Sequence, residues 1–370
     1  MVAGATGFTG RLVAEHLAVH YSGPSAPTPR LRWALAGRDR AKLERLRSEL
    51  AVKHPQVANV PVLAADPRDT ASLELLVGSA SVFLSLAGPY ARYGTPVVNA
   101  ALRARTHYLD ITAEHQWMRA NIDKHHEAAK AAGVCVVHSV GYDSVPWDLG
   151  TLLAVQALRD AGVGANASVR VDGLVGATAG GFSGGTVASL LDVMVDPAAN
   201  KLSGSHSLDP EWAPRPDRGP QLVPAYNSAA RRWTLPSIMA FANERTVNRS
   251  AALQPQLYGP RGQFSYKEST LAPSALGAYI GTAAMALGAL LISLPPTRYL
   301  LAKTVLPAPG EGPSLAVRES GFFTAHFVAT SSDGQRAYSR VALRGADPGC
   351  AGLLGRERCE RNAHDRDPDA

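Results

Sequence analysis

Gly4, Gly7 and Gly10 fall three residues apart within Gly4-Ala5-Thr6-Gly7-Phe8-Thr9-Gly10, directly before Arg11-Leu12-Val13-Ala14-Glu15-His16-Leu17. Residues without a Cβ let a strand turn sharply into a helix, let the backbone approach a bound group, and let the helix lie close on its sheet. The helix start then offers free N–H groups and a partial positive charge, which suit a pyrophosphate. The stretch containing Gly4, Thr6, Gly7, Phe8, Thr9 and Gly10 is therefore the first candidate site, for a dinucleotide. Taken alone, a glycine-rich turn is as often purely structural. Arg38 follows Gly37 at the end of the next apolar stretch. An arginine there accommodates a ribose 2′-phosphate, whereas an acidic residue accepts from the 2′-OH. The planar donor fork of Arg38 favours NADP, and Asp39 beside it leaves NAD open. Asp66, after a third apolar stretch, suits either a cap beside an adenine or an ordinary turn. Gly88-Pro89-Tyr90 would bring backbone and an aromatic ring to the nicotinamide side. For moving a proton the sequence offers Tyr142, Asp143 and Glu114. Asp143 and Glu114 are equally suited to be caps or turn acceptors.

The elements that must position these groups alternate. The pattern predicts helices over 11–20, 40–50, 70–77, 95–104 and 117–132, set between strands over 31–36, 60–65, 81–87, 107–114 and 133–140. Such alternation belongs to right-handed βαβ units, so the expected fold class is α/β with a Rossmann-type doubly wound parallel sheet. In that sheet the glycine turn has the strand-to-helix setting it needs. Only Met1-Val2-Ala3 precede the turn, although a buried central strand is required there. The expectation is a chain that begins late, which leaves any targeting signal unreadable.

At 370 residues the chain is long enough for two domains. Its formal charge of +6 is spread out, with Arg231-Arg232 the one tight basic pair in the middle, so a nucleic-acid partner is not expected. Cys135, Cys350 and Cys359 lack C-x-x-C spacing, which fits a reducing compartment and excludes a zinc ribbon. His125-His126-Glu127 has no second histidine at helical spacing and reads as an exposed helix face, so no metal site is expected.

Five motifs in order resemble the saccharopine dehydrogenase-like oxidoreductases, a group that includes the trans-acting enoyl reductases of bacterial lipid synthesis. They are Gly-Ala-Thr-Gly-Phe-Thr-Gly at 4–10, Ala-Gly-Arg at 36–38, Gly-Pro-Tyr at 88–90, Tyr-Leu-Asp-Ile-Thr-Ala-Glu at 108–114 and Gly-Tyr-Asp-Ser-Val-Pro-Trp-Asp-Leu-Gly at 141–150. The resemblance implies a Rossmann domain joined to an α+β domain, with a nicotinamide cofactor between them. It also implies lipid metabolism, including glycolipid synthesis, at a membrane or lipid-droplet surface facing the cytosol, or in an organelle. Two departures stand out: Ala113 replaces a usual glycine, and Asp347-Pro348-Gly349-Cys350 leads into a polar tail instead of a final helix.

In the second half the pattern predicts a helix over 149–160, a strand over 167–175 and a helix over 187–194. That last helix opens from Gly180-Gly181-Phe182-Ser183-Gly184-Gly185-Thr186, which suits an anion, a carbonyl or close packing. A loop-rich insert covers 196–224, and a hairpin turns around Ser332-Asp333-Gly334. No charged residue stands between Glu268 and Arg298, a run long enough to cross a bilayer. A membrane-lying hairpin or helix is preferred over a buried helix or a full span, with Arg298 and Lys303 at the headgroups. The expected domains are 1–148, dinucleotide-binding; 149–345, substrate-binding with the apolar segment 269–297; and 346–370, a disordered polar tail. The expected activity is NADPH-dependent reduction of an activated C=C or C=O in an apolar, lipid-linked substrate. A saccharopine-type amino-acid reductase and a non-catalytic NADP-binding protein at a lipid surface are the alternatives. The first of these would need arginines converging in the second domain, where Arg215, Arg218, Arg245 and Arg249 read as scattered.

Overall fold

The glycine turn leaves the central strand of a parallel sheet. In the computed structural model, which describes residues 1–23, 27, 31–66, 68–195, 204–210, 219–308, 310–345 and 360–362, this strand is β1 (Val2–Ala3). It pairs in parallel with β2 (Leu35–Gly37) and β4 (Val82–Ser85), and the Met1 ammonium donates to the Val82 carbonyl at 2.7 Å. With β3 (Val62–Ala64), β5 (His107–Asp110) and β6 (Val136–Val137) it forms a six-stranded sheet in the order β3-β2-β1-β4-β5-β6. The crossovers are α1 (Phe8–Tyr21), α2 (Arg40–Lys53), α3 (Thr70–Gly78), α4 (Tyr90–Ala104) and α5 (His115–Ala132). Strand order reverses between β1 and β4, and such a sheet takes its ligand in the crevice outside the carboxyl ends there.

The strands are shorter than the sequence pattern predicts, and α4 begins at Tyr90 rather than at 95. Pro89 is the cap of this helix and Pro96 lies in its second turn. β5 ends at Asp110, so 111–114 form a loop instead of continuing the strand. His125 is buried rather than exposed.

α6 (Val145–Asp160) leads into a second, mixed sheet. At its centre β7 (Val169–Ala179) runs parallel to β10 (Phe264–Ala272) and antiparallel to β11 (Phe322–Ser331). β11 and β12 (Arg336–Arg344) form the expected hairpin, with Gly334 at φ +87° in the turn. β8 (Ala225–Asn227), β9 (Arg232–Leu235) and β13 (Glu360–Asn362) complete the order β13-β12-β11-β7-β10-β9-β8. α7 (Gly184–Val195) follows β7, and beside this sheet lie α8 (Ala240–Leu253) and the short α9 (Pro255–Tyr258). Trp147, Leu158, Val171, Val247, Tyr266 and Phe327 share one core between the helices and the strands. The molecule thus joins a Rossmann sheet to an α+β domain. Of the expected tail over 346–370, only β13 falls among the described residues.

The uncharged run is divided among several elements. Residues 269–272 belong to β10, α10 (Ala275–Ser293) follows with Ser274 as its cap, and Pro295 and Pro296 open α11 (Pro295–Thr304). α10 has a mean hydropathy of 1.9, yet only Ala278 in it is buried; it rests against β9, where Tyr279 meets the Trp233 ring at 6.4 Å, and Leu276, Ile280, Leu287 and Leu290 are exposed. Within this chain it is therefore not a buried domain helix.

Candidate active site

The dinucleotide end is built by the backbone. Gly4 sits at φ +75°, a conformation side chains rarely adopt, and a Cβ there would come within 2.9 Å of the Leu86 backbone. The Gly7 amide donates to the Gly4 carbonyl at 3.0 Å, and a Cβ on Gly10 would collide with that same oxygen. The first backbone bond of α1 is Arg11 N–H to the Gly7 carbonyl at 2.9 Å, so the amides of Phe8, Thr9 and Gly10 have no backbone acceptor among the described residues. The Thr6 carbonyl accepts from Arg11 Nε at 3.4 Å. A tight turn with open amides at a helix start fits a diphosphate.

At the ends of β2 and β3 the charges sort themselves. The Asp39 carboxylate caps α2 by accepting from Lys42 N at 3.0 Å. Arg38 is exposed and has no ion pair or hydrogen bond among the described residues. Asp66 caps its own turn. Arg68 holds it by side-chain bonds, Nε to Oδ1 at 3.0 Å and to Oδ2 at 3.2 Å and Nη2 to Oδ2 at 2.8 Å, and by its own amide at 2.9 Å. These bonds, aided by the charges of Arg68 and Arg38, hold the Asp66 carboxyl down at a pKa of about 2. Asp66 is thus a turn aspartate in an ion pair.

At the nicotinamide side two expectations are corrected. The Tyr90 ring is buried against Trp117 and its phenol donates to the Ser85 carbonyl at 3.0 Å, so it does not line the crevice. Glu114 is fully buried and caps α4: its oxygens accept from Tyr90 N at 2.8 Å and Ala91 N at 2.7 Å. Ser189 of α7 adds a bond to Glu114 Oε1 at 3.0 Å, which ties the second domain to this corner. A carboxylate held by these donors is a positioning group rather than a proton donor. Gly88 packs at the same corner, where a Cβ would stand 3.2 Å from the Tyr90 ring and 3.4 Å from Ser189 Oγ. Pro89 is the residue from which α4 starts. Ala113 needs no left-handed backbone, so its missing glycine costs the turn nothing.

Tyr142 and Asp143 stand on the loop between β6 and α6. That loop is joined to the one after β5: Val140 N donates to the Asp110 carbonyl at 2.8 Å and Ser139 Oγ to the Thr112 carbonyl at 2.6 Å. The Tyr142 ring meets Phe323 of β11 edge-on at 5.2 Å, so the loop lies at the seam between the domains. Burial, and then the Asp143 charge, push the Tyr142 phenol well up. Asp143 is half-buried as a residue, but its surroundings desolvate the carboxyl enough to raise its pKa. Its side chain has no hydrogen-bond partner among the described residues. Of the three proton-carrying candidates, only Asp143 combines a raised pKa with an uncommitted carboxyl.

Sequence reasoning misses the polar chain behind this loop. Ser144 Oγ donates to Asn243 Oδ1 at 3.0 Å, and Asn243 Nδ2 donates to Glu268 Oε2 at 2.8 Å, all three being buried. Ser237 and Tyr266 also donate to Glu268, whose pKa burial raises to about 7. The readable signal for Glu268 is a carboxylate in an apolar strand pattern, whereas nothing local marks Asn243. Also unforeseen is His138, whose Nδ1 lies 2.7 Å from the buried Asp110 carboxylate.

The second-domain arginines converge, but on carbonyl and hydroxyl groups of the chain itself. Arg245 Nε donates to Ser207 Oγ at 2.9 Å, Arg249 to the Leu208 carbonyl at 2.6 Å, and Arg119 of α5 to the Asp209 carbonyl at 2.9 Å. Together they pin the buried segment 204–210 of the insert. Arg215 and Arg218 lie outside the described residues.

Residues 1–137 match the family described as the saccharopine dehydrogenase NADP binding domain. Over 367 residues the chain is 38% identical to a putative trans-acting enoyl reductase of Mycobacterium tuberculosis, covering 94% of this chain and 83% of that protein. It is 35% identical over 375 residues to a trans-acting enoyl reductase of Mycobacterium leprae, covering 95% and 85% of the two chains. Among solved structures, the apo saccharopine dehydrogenase (L-Glu forming) of Saccharomyces cerevisiae aligns at a TM-score of 0.45 and 12% identity, over 92% of this chain and 84% of that one.

Proposed function

The chain belongs to the saccharopine dehydrogenase-like oxidoreductases, the family of the trans-acting enoyl reductases, and is an NAD(P)-dependent oxidoreductase; on that premise we propose that it uses NADPH to reduce an activated C=C or C=O in an apolar, lipid-linked substrate. A bound nicotinamide coenzyme supplies the hydride. The open amides of Phe8, Thr9 and Gly10 hold the diphosphate, and Arg38 receives the 2′-phosphate. Glu114 fixes the start of α4 beside the crevice. Asp143, whose pKa burial raises, gives a proton to the carbanion or alkoxide left by hydride addition. Tyr142 forms the wall next to it.

The observation that carries the apolar reading is the commitment of Arg245 and Arg249 to the carbonyl and hydroxyl groups of residues 207–208. A substrate with several carboxylates needs free guanidinium forks, and these two are taken. The exposed apolar helix α10 supports a lipid surface as the place of work, with Arg298 and Lys303 of α11 at the headgroups. The test is NADPH oxidation by the purified chain against a panel of enoyl-lipid thioesters and a panel of amino-acid conjugates. Turnover of the enoyl-lipid panel is expected, and turnover confined to amino-acid substrates would overturn the proposal.

A further inference from the structure

The glycine turn is covered from the other domain. The segment before β11 returns across α1, so that Gly312 rests on the face of Phe8, where a Cβ would collide with the ring. Six residues on, in α12 (Leu315–Ser320), Arg318 lays its guanidinium over the same ring, with Cζ at 5.8 Å from the centroid. Phe8 is the first residue of α1, and its amide is one of the three left open by the turn.

Arg318 is held in this place without any partner to its charge. Its Nε is fully buried with no acceptor, and the guanidinium makes no ion pair or hydrogen bond among the described residues. Glu311, in the segment just before α12, is engaged elsewhere, its carboxylate accepting from the Ala308 amide at 3.0 Å. A buried guanidinium N–H without an acceptor is costly, and native proteins rarely keep one unless something arrives to meet it. What fits is an anionic oxygen that lies at the start of α1 at the same time as it meets the open amides. Stacking on Phe8 removes the freedom of the long side chain beforehand, so less entropy is lost on binding.

We propose that Arg318 is a second-domain ligand of the coenzyme's diphosphate, closing over the glycine turn so that the dinucleotide is gripped by both domains. The assignment rests on the dinucleotide reading of the turn. It differs from the role of Arg38: a diphosphate ligand serves NADPH and NADH alike, whereas Arg38 serves only the phosphorylated coenzyme.

The two arginines are separated by titrating the full chain with NADPH and with NADH and following nicotinamide fluorescence. Arg318→Met is expected to weaken both coenzymes by the same factor, about tenfold to a hundredfold, as for a lost charge-assisted bond. Arg318→Lys, which keeps a charge and a stem over Phe8, is expected to recover part of the loss, and it supplies the same comparison should Arg318→Met fail to fold. Binding by the wild type with unchanged affinity in the Arg318 variants would overturn the proposal. So would a loss confined to NADPH, which would make Arg318 a reader of the 2′-phosphate. A folded wild type that binds neither coenzyme would instead bring down the dinucleotide reading itself.

Discussion

Arg38 and Asp39 are neighbours, and the sequence lets either one choose the coenzyme. The structure separates them, because the Asp39 carboxylate is used on the first turn of α2 and Arg38 is left unengaged among the described residues. Accepting from a ribose hydroxyl would compete with a cap worth about 1 kcal/mol. Arg38→Gln is therefore expected to lower NADPH affinity about tenfold to a hundredfold while leaving NADH affinity unchanged, as read by fluorescence titration. Asp143→Asn is expected to lower kcat by about 10² to 10⁴ with little change in the dissociation constant for NADPH. The acid form is the one that works, and burial raises the pKa of Asp143, so wild-type kcat should fall as pH rises through that raised value. A flat pH profile in the wild type would remove Asp143 from the role. At this scale the glycine turn was legible because its demand, no Cβ against nearby backbone, is written in the residue itself. Asp66 and Tyr90 were not, since their fates depend on Arg68 and on where α4 starts.

Between elements the deciding groups are buried carboxylates. Glu114 starts α4 five residues ahead of the point suggested by local sequence, because it supplies acceptors to the Tyr90 and Ala91 amides at the helix start. That acceptor comes from the loop after β5, so no local window contains it. Glu268 does a similar task between α8, β10 and the loop bearing Tyr142 and Asp143, through Asn243 and Ser144. Its folded-state pKa of about 7 stands above the ordinary 4.5, so the folded chain holds a proton there that the unfolded chain gives up. This contribution is complete below about pH 4.5 and is lost as pH rises through about 7, on the order of 3 kcal/mol. Glu268→Gln should remove that decline, which urea unfolding at a series of pH values will show. An unchanged slope in the variant would mean that other groups set it.

For the molecule as a whole, the alternation of strand and helix made the first domain legible, and an uncharged stretch announced α10. The stretch did not show that its opening residues belong to β10, because an apolar run carries no mark of where a sheet strand stops and a free helix begins. Deleting 275–304 should therefore spare the sheet, and the shortened chain is expected to bind NADPH but no longer float with phospholipid vesicles. The pair Leu287→Glu and Leu290→Glu should act in the same direction, and flotation unaffected by either change would end the lipid-surface proposal. The second sheet carries a consequence for how the chain is made. Thr324 of β11 meets Ala177 of β7 across 147 positions, so β7 leaves the ribosome long before that neighbour exists. By then every strand of the coenzyme-binding half has been translated. A nascent chain arrested in this interval would carry one finished half and one bare, pairing-competent edge, which is the kind of surface that chaperones shield.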